Sequence, residues 1–184
     1  GYLVEISQHG ISIADSRTVS RLLHAIGDFE RLGDHALNLQ ESARELHEKE
    51  LHFSAAAEAE LEVLLSALRD ILDQALNSFS ADDPDTAKKV EPLEETVDRL
   101  IEDIRVRHIQ RLQTGECTIQ LGFVLNDLLT NFERVADHCS NIAVAMIELE
   151  SDAFDTHEYL KSVKNMKSDS FARYYEEYSK KFAL

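Results

Sequence analysis

The chain has 184 residues, 43% of them hydrophobic, which suits one domain or two small halves sharing a core. Two prolines, six glycines and no tryptophan stand in a composition rich in Ala, Leu and Glu, which favours long helices and gives strands little support. A formal net charge of −16 repels duplexes and phosphate-rich surfaces, so nucleic acid is excluded as a partner and cations are favoured.

Gly1 precedes Tyr-Leu-Val-Glu-Ile with neither a Met nor a cap, which predicts a start inside a helix. Leu22, Ala25, Phe29, Leu32, Ala36, Leu39, Ala43 and Leu46 recur at three- and four-residue steps. That stripe predicts a helix from Asp15 to about Glu50, capped by Asp15 or Ser16. A second helix is expected from about Ser54 to about Phe79. Ser80 to Asp85 is the clearest break, where Asp83 can cap a helix that Pro84 begins. The next helix is expected from Asp85 to about Gln113, with Pro92 either kinking it or marking a regular start nearer Glu91. Thr114-Gly115-Glu116 reads as a turn, and a long helix follows from about Thr118 to Glu150. Ser151 to Asp155 breaks it, and the tail spaces Phe171, Tyr174, Tyr175, Tyr178 and Phe182 as a helix would. This tail is expected to pack on its own bundle or to bridge to a second chain.

Cys117 and Cys139 are the only cysteines, and they form no CxxC. Both fall in helix-like stretches, so free thiols in a reducing compartment are expected. There is no signal-peptide pattern, and no apolar run approaches the roughly 20 residues of a membrane span, which predicts a soluble piece.

Two segments match at an offset of 103 residues: Asp28-Phe-Glu-Arg-Leu-Gly-Asp-His-Ala-Leu-Asn-Leu39 and Asn131-Phe-Glu-Arg-Val-Ala-Asp-His-Cys-Ser-Asn-Ile142. Phe, Glu, Arg, Asp, His and Asn recur in place. Apolar repetition is cheap between helices, but repetition of these polar types is specific. The repeat predicts a three-helix unit used twice, over residues 1–82 and 83–184, with the leading helix of the first unit mostly missing.

Positions i and i+4 of a helix lie about 40° apart in rotation and about 6 Å along the axis. Glu30, Asp34 and Asn38 therefore form one oxygen-rich stripe, as do Glu133, Asp137 and Asn141. Phe29, Leu32, Ala36 and Leu39 fall on the other side of the first helix, and Phe132, Val135, Cys139 and Ile142 on that of the second. Such a stripe is either a solvated face or a place for a cation. Like charges at this spacing cost about 0.2–0.5 kcal/mol unless something offsets them. Glu94 and Asp98 repeat the spacing on the helix before the second motif, so four carboxylates can face one another there. Oxygen ligands of this kind suit Mg, Ca or Mn, and with an occasional imidazole Fe or Zn. His35 and His138 lie about 100° beyond the Asp and read as boundary histidines bonded to a neighbouring helix.

Glu-Arg-Leu-Gly-Asp-His and Glu-Arg-Val-Ala-Asp-His, each followed by Asn, resemble the signature of the PhoU family of phosphate-uptake regulators. The tail from His157-Glu-Tyr-Leu to Tyr174-Tyr-Glu-Glu-Tyr-Ser-Lys-Lys-Phe182 is similar to the end of the PhoU-like cytoplasmic domain of bacterial sodium/phosphate cotransporters. The resemblance implies an all-α fold of two tandem antiparallel three-helix bundles. It implies multinuclear iron or zinc clusters on the bundle surface, with Glu30, Asp34, Glu94, Asp98, Glu133 and Asp137 as ligands. The site of Glu30 and Asp34 is expected to be incomplete, and that of Glu94, Asp98, Glu133 and Asp137 intact. It further implies regulation of phosphate transport, the membrane domain of a phosphate transporter as partner, and a cytoplasmic domain attached to the inner membrane through a missing N-terminal transporter region. A homodimer is left open.

Catalysis is not expected. A ferritin-like di-iron oxidase needs Glu-x-x-His pairs, and the sequence has none. Nucleophile elbows and phosphate-cradling Gly-rich loops are also absent. The competing reading is a metal-free helical protein–protein interaction module with solvated stripes.

Overall fold

The computed structural model describes residues 12–150 and 169–184. The helical start expected at Gly1, the break at residues 151–155 and the start of the tail lie outside the described residues. The described chain is all-α, as expected, in six helical elements: α1 (Ile13–Glu48), α2 (Ala55–Ala81), the single turn α3 (Pro84–Ala87), α4 (Val90–Thr114), α5 (Ile119–Glu150) and α6 (Asp169–Lys181).

The helix ends follow from local chemistry. Ser12, rather than Asp15 or Ser16, caps α1, and its hydroxyl accepts from the Asp15 amide at 3.1 Å. Asp15 instead supplies negative charge to the first turn, where the helix dipole favours it. Ser54 caps α2, and Asp83 caps α3 by accepting from the Asp85 and Thr86 amides. The chain breaks at Lys88–Lys89, so the helix expected from Asp85 is two elements. Pro92 then falls in the first turn of α4, where no intrahelical donor is lost. At the far end Gly115 takes φ +77°, and the Glu116 amide reaches back to the Arg111 carbonyl at 2.9 Å, a Schellman closure. Cys117 lies in the turn after it rather than in a helix.

The core is a three-helix arrangement of α2, α4 and α5. Leu64, Ile71, Leu93, Leu100, Ile104, Leu125 and Leu129 fill it, all fully buried. The three helices are locked in register by polar ties. Glu60 of α2 receives both terminal nitrogens of Arg111, at 2.9 and 2.7 Å, with Arg107 alongside. Burial opposes the charge on Glu60, but these guanidinium groups win and hold its carboxyl below the ordinary range. Ser140 donates to Glu91 between α5 and α4.

The aromatic tail packs on its own bundle. Tyr178 and Phe182 are buried, and the Tyr178 hydroxyl donates to Gln74 at 3.0 Å. Burial pushes the Tyr178 phenol up. Arg99 of α4 donates to Ser179 and lies over the Tyr175 ring.

Helix α1 is peripheral. It lies mainly along α5; Val19 and Ala25 are buried, and Leu32, Leu39 and Leu46 pack against the core partly buried. Ala36 and Ala43, expected on its apolar side, are exposed. Towards α2, Phe29 meets Phe79 edge-on at 5.0 Å, and Arg21 pairs with Asp82.

Candidate functional site

The two repeated motifs face each other. Helices α1 and α5 run antiparallel, and the motif side chains cross between them reciprocally. His35 Nδ1 lies 2.9 Å from the Asn131 side-chain oxygen, and His138 Nδ1 lies 2.9 Å from an Asp28 oxygen. Asn38 donates to the same Asn131 oxygen at 3.1 Å, and Asn141 donates to Asp28 at 3.2 Å. Asp28 and Asn131 are equivalent positions of the repeat, as are His35 and His138, and Asn38 and Asn141. The two rings stack at the centre, 5.5 Å apart. Contacts in which residue i meets j and j meets i are the mark of an approximate twofold axis.

This seam accounts for the repeated His and Asn. Both histidines are bonded to the neighbouring helix, as their rotation predicted. Asn38 and Asn141 do not complete the carboxylate stripes, because each is turned towards the other copy. Asp28 and Asn131 carry the seam and were missed. The matching segments contained the signal: each copy opens with an acceptor seven residues before its His.

The carboxylates are placed unequally. Glu30 and Asp34 are exposed, and Asp34 pairs along its own helix with Arg31 at 3.1 Å. In the second copy, α4 packs against α5 and brings Asp98 towards Glu133 and Asp137. Asp98 is exposed as a whole residue, yet its carboxyl is pushed up to about 6, first by desolvation and then by the charges of Glu133 and Asp137. Arg105 answers part of this crowding through Glu133, at 2.8 Å. Arg134 pairs with Asp137 at 3.3 Å, and Glu94 lies half-buried one turn before Asp98. The donor set is all oxygen, which suits a hard cation. As positioned, however, no group of three or more His, Cys, Asp or Glu among the described residues is close enough to hold an ion. Arg105 supplies the positive charge beside Glu133.

Two other clusters carry polar chemistry. His108 is buried, and burial together with Arg111 holds its pKa down; Cys117 Sγ lies 3.7 Å from its Nδ1. Cys139 is buried in the core, and its thiol is pushed up to about 12 by desolvation and by Asp28. It is therefore a packing residue. No helix among the described residues is long and apolar enough to cross a membrane.

Comparison with known proteins agrees with this architecture. Residues 61–146 match the PhoU domain, a span from inside α2 to near the end of α5. The chain is 24% identical over 160 residues to the phosphate-specific transport system accessory protein PhoU homolog 1 of Thermotoga maritima, covering 87% of this chain and 68% of that protein. It is 25% identical over 138 residues to a PhoU homolog of Deinococcus radiodurans, covering 75% of this chain and 63% of that one. A third relative, from Synechocystis, is 27% identical over 130 residues, 70% of this chain and 56% of its own. The chain thus spans between 56% and 68% of the length of these relatives. No solved structure matches it. With a PhoU domain matched across the helices that build its core, and PhoU homologues aligned along most of its length, the chain resembles the PhoU-like domain family.

Proposed function

We propose that this chain is a regulatory domain of phosphate transport, which acts on the membrane domain of a phosphate transporter and not by catalysis. One observation carries the reading: the residues that match the PhoU domain are those that build the core and present the second carboxylate stripe. Its relatives are named as accessory proteins of phosphate-specific transport systems, which supports the context. The finer setting we propose is the cytoplasmic part of a sodium/phosphate cotransporter, held at the inner membrane by a transporter region. The resemblance of the aromatic, Lys-bearing tail supports it.

The two halves are proposed to be related repeats that meet at the α1–α5 seam. The units we propose are residues 1–82 and 83–184, and the reciprocal His35–Asn131 and His138–Asp28 contacts support their relation.

We further propose that Glu94, Asp98, Glu133 and Asp137 bind iron or zinc after Arg105 swings off Glu133, with Glu30 and Asp34 taking no part on their own. Crowding of carboxylates around Asp98 supports this. The Arg105–Glu133 pair is the observation that favours the second reading, a metal-free interaction module.

Deleting this region from its gene and following uptake of labelled phosphate tests the function. Uptake should lose its response to external phosphate. Regulation that persists unchanged would overturn the reading.

A further inference from the structure

Resting on the reading of the chain as a regulator of a membrane transporter, we propose that the solvent face of the α4–α5 hairpin is the docking surface. Its occupant is a cytoplasmic segment of the transporter that is apolar at one end and rich in Lys or Arg at the other.

One end of this face is apolar. Val106 and Ile109 near the end of α4 are 46% and 53% exposed, and Ile119 and Phe123 at the start of α5 are 73% and 70% exposed. The turn at Gly115 folds these ends together, and Gly122 lies against the His108 ring, so both pairs share one end of the hairpin. Ile119 and Phe123 are one turn apart and so share a face. The core side of this stretch of α5 is already filled by Leu121, Leu125 and Leu128, so the outward pair is not needed for packing.

The other end of the face is acidic. Asp137 lies eighteen residues beyond Ile119, which is five full turns, so the two point the same way about 27 Å apart. Around it stand Glu133 and, across the groove on α4, Asp98, on which desolvation and then the charges of Glu133 and Asp137 act. Arg105 offsets this in part through Glu133 and Glu102, and Arg134 through Asp137.

A ligand for this face must therefore be apolar, then cationic, along a path of about 27 Å, the length of an eighteen-residue helix. Cytoplasmic loops of membrane proteins carry an excess of Lys and Arg, so a transporter offers this chemistry where an acidic regulator can reach it. Opposite charge across the face also speeds encounter and sets register. A cation held by the stripe and the Lys or Arg of the segment would draw on the same carboxylates, so the two compete.

The test uses the full chain in metal-free buffer and two fluorescent helix-forming peptides of equal composition. One has Leu and Phe at one end and Lys at the other; the second has them interleaved. The patterned peptide should bind at least about tenfold tighter. Ile119→Ser/Phe123→Ser and Asp98→Asn/Asp137→Asn should each lose about tenfold or more, while Glu62→Gln/Asp73→Asn on α2 should bind like the parent. No preference between the peptides, or equal loss in all three variants, would mean that net charge alone binds and would overturn the inference. So would a parent chain that sediments as a dimer and becomes monomeric in Ile119→Ser/Phe123→Ser, since a second copy would then own the face. In cells, phosphate uptake that stays regulated in Ile119→Ser/Phe123→Ser overturns the docking surface alone. Uptake indifferent to the parent chain overturns the functional reading beneath it.

Discussion

In the α1 copy of the motif Phe29, Leu32 and Leu39 are half-buried, and Ala36 and Leu37 face solvent. In the α5 copy Phe132, Val135, Ala136, Cys139 and Ile142 are all buried. The same residue types therefore do different work. What differs is the neighbour: α5 is enclosed by α1, α2 and α4, whereas α1 lies mainly along α5. The polar residues that meet across the seam behave alike in both copies. Those that need a third helix, the carboxylates, do not. A repeat can thus preserve an interface while its two sites diverge.

The largest effect should separate the copies at equivalent apolar positions. Phe132→Asp puts an unpaired charge into the core and should cost about 4 kcal/mol or more, enough to abolish cooperative urea unfolding. Phe29→Asp, at the same place in the other copy, should cost only about 1–2 kcal/mol, because Phe29 is half-buried and loses chiefly the Phe79 contact. Equal costs would show that α1 is as integral as α5.

Next comes the tie within the core. Arg111→Met leaves the buried Glu60 carboxylate with Arg107 alone, at 3.4 Å, and should cost about 2 kcal/mol, whereas Glu60→Met/Arg111→Leu should recover most of it. The seam should be weaker. His35→Ala or His138→Ala should each cost about 1 kcal/mol in urea unfolding, with similar values for the two because their bonds are reciprocal. Asp28→Asn makes the two copies identical at that position and should cost less than about 0.5 kcal/mol, since Asn131 already does the same task as an amide.

In the second copy, Asp98 should make stability depend on pH. Asp98 titrates at about 6 in the folded chain, above its ordinary 3.8, so the fold disfavours its charged form. Its contribution to stability is then lost as pH rises from 3.8 through about 6. Asp98→Asn should therefore be more stable than the parent at pH 7–8, and equal to it near pH 4. Because Asp98 keeps solvent contact, the gain should be about 1 kcal/mol at most. Asp34→Asn should change stability by no more than a few tenths of a kcal/mol, as expected for an exposed pair within one helix.

Much of the fold was legible in the sequence because helix signals are local. Ser54, Asp83 and Gly115 mark helix ends by backbone chemistry that needs no partner. The rotation of His35 and His138 placed them against a neighbouring helix for the same reason. The split at Lys88–Lys89 was not legible, since two lysines carry no breaking signal and Pro92 could be read two ways. Nor was the exposure of Ala36 and Ala43, because periodicity says which face is apolar but not whether anything covers it. The stripes looked equal for the same reason, and only packing distinguishes Asp98, Glu133 and Asp137 from Glu30 and Asp34. Asp28 and Asn131 were overlooked because they differ in type, although their reciprocity makes them the centre of the seam.

The two copies are unequal, and the proposal is that a cation gathers at the second alone. Calorimetric titration of the metal-free chain with zinc, repeated with ferrous iron under anaerobic conditions, tests it most directly. The account predicts binding that survives Glu30→Gln/Asp34→Asn, is lost in Asp98→Asn/Asp137→Asn, and tightens in Arg105→Ala as the competing guanidinium is removed. Binding lost through Glu30 and Asp34 instead, or no binding even in Arg105→Ala, would contradict it.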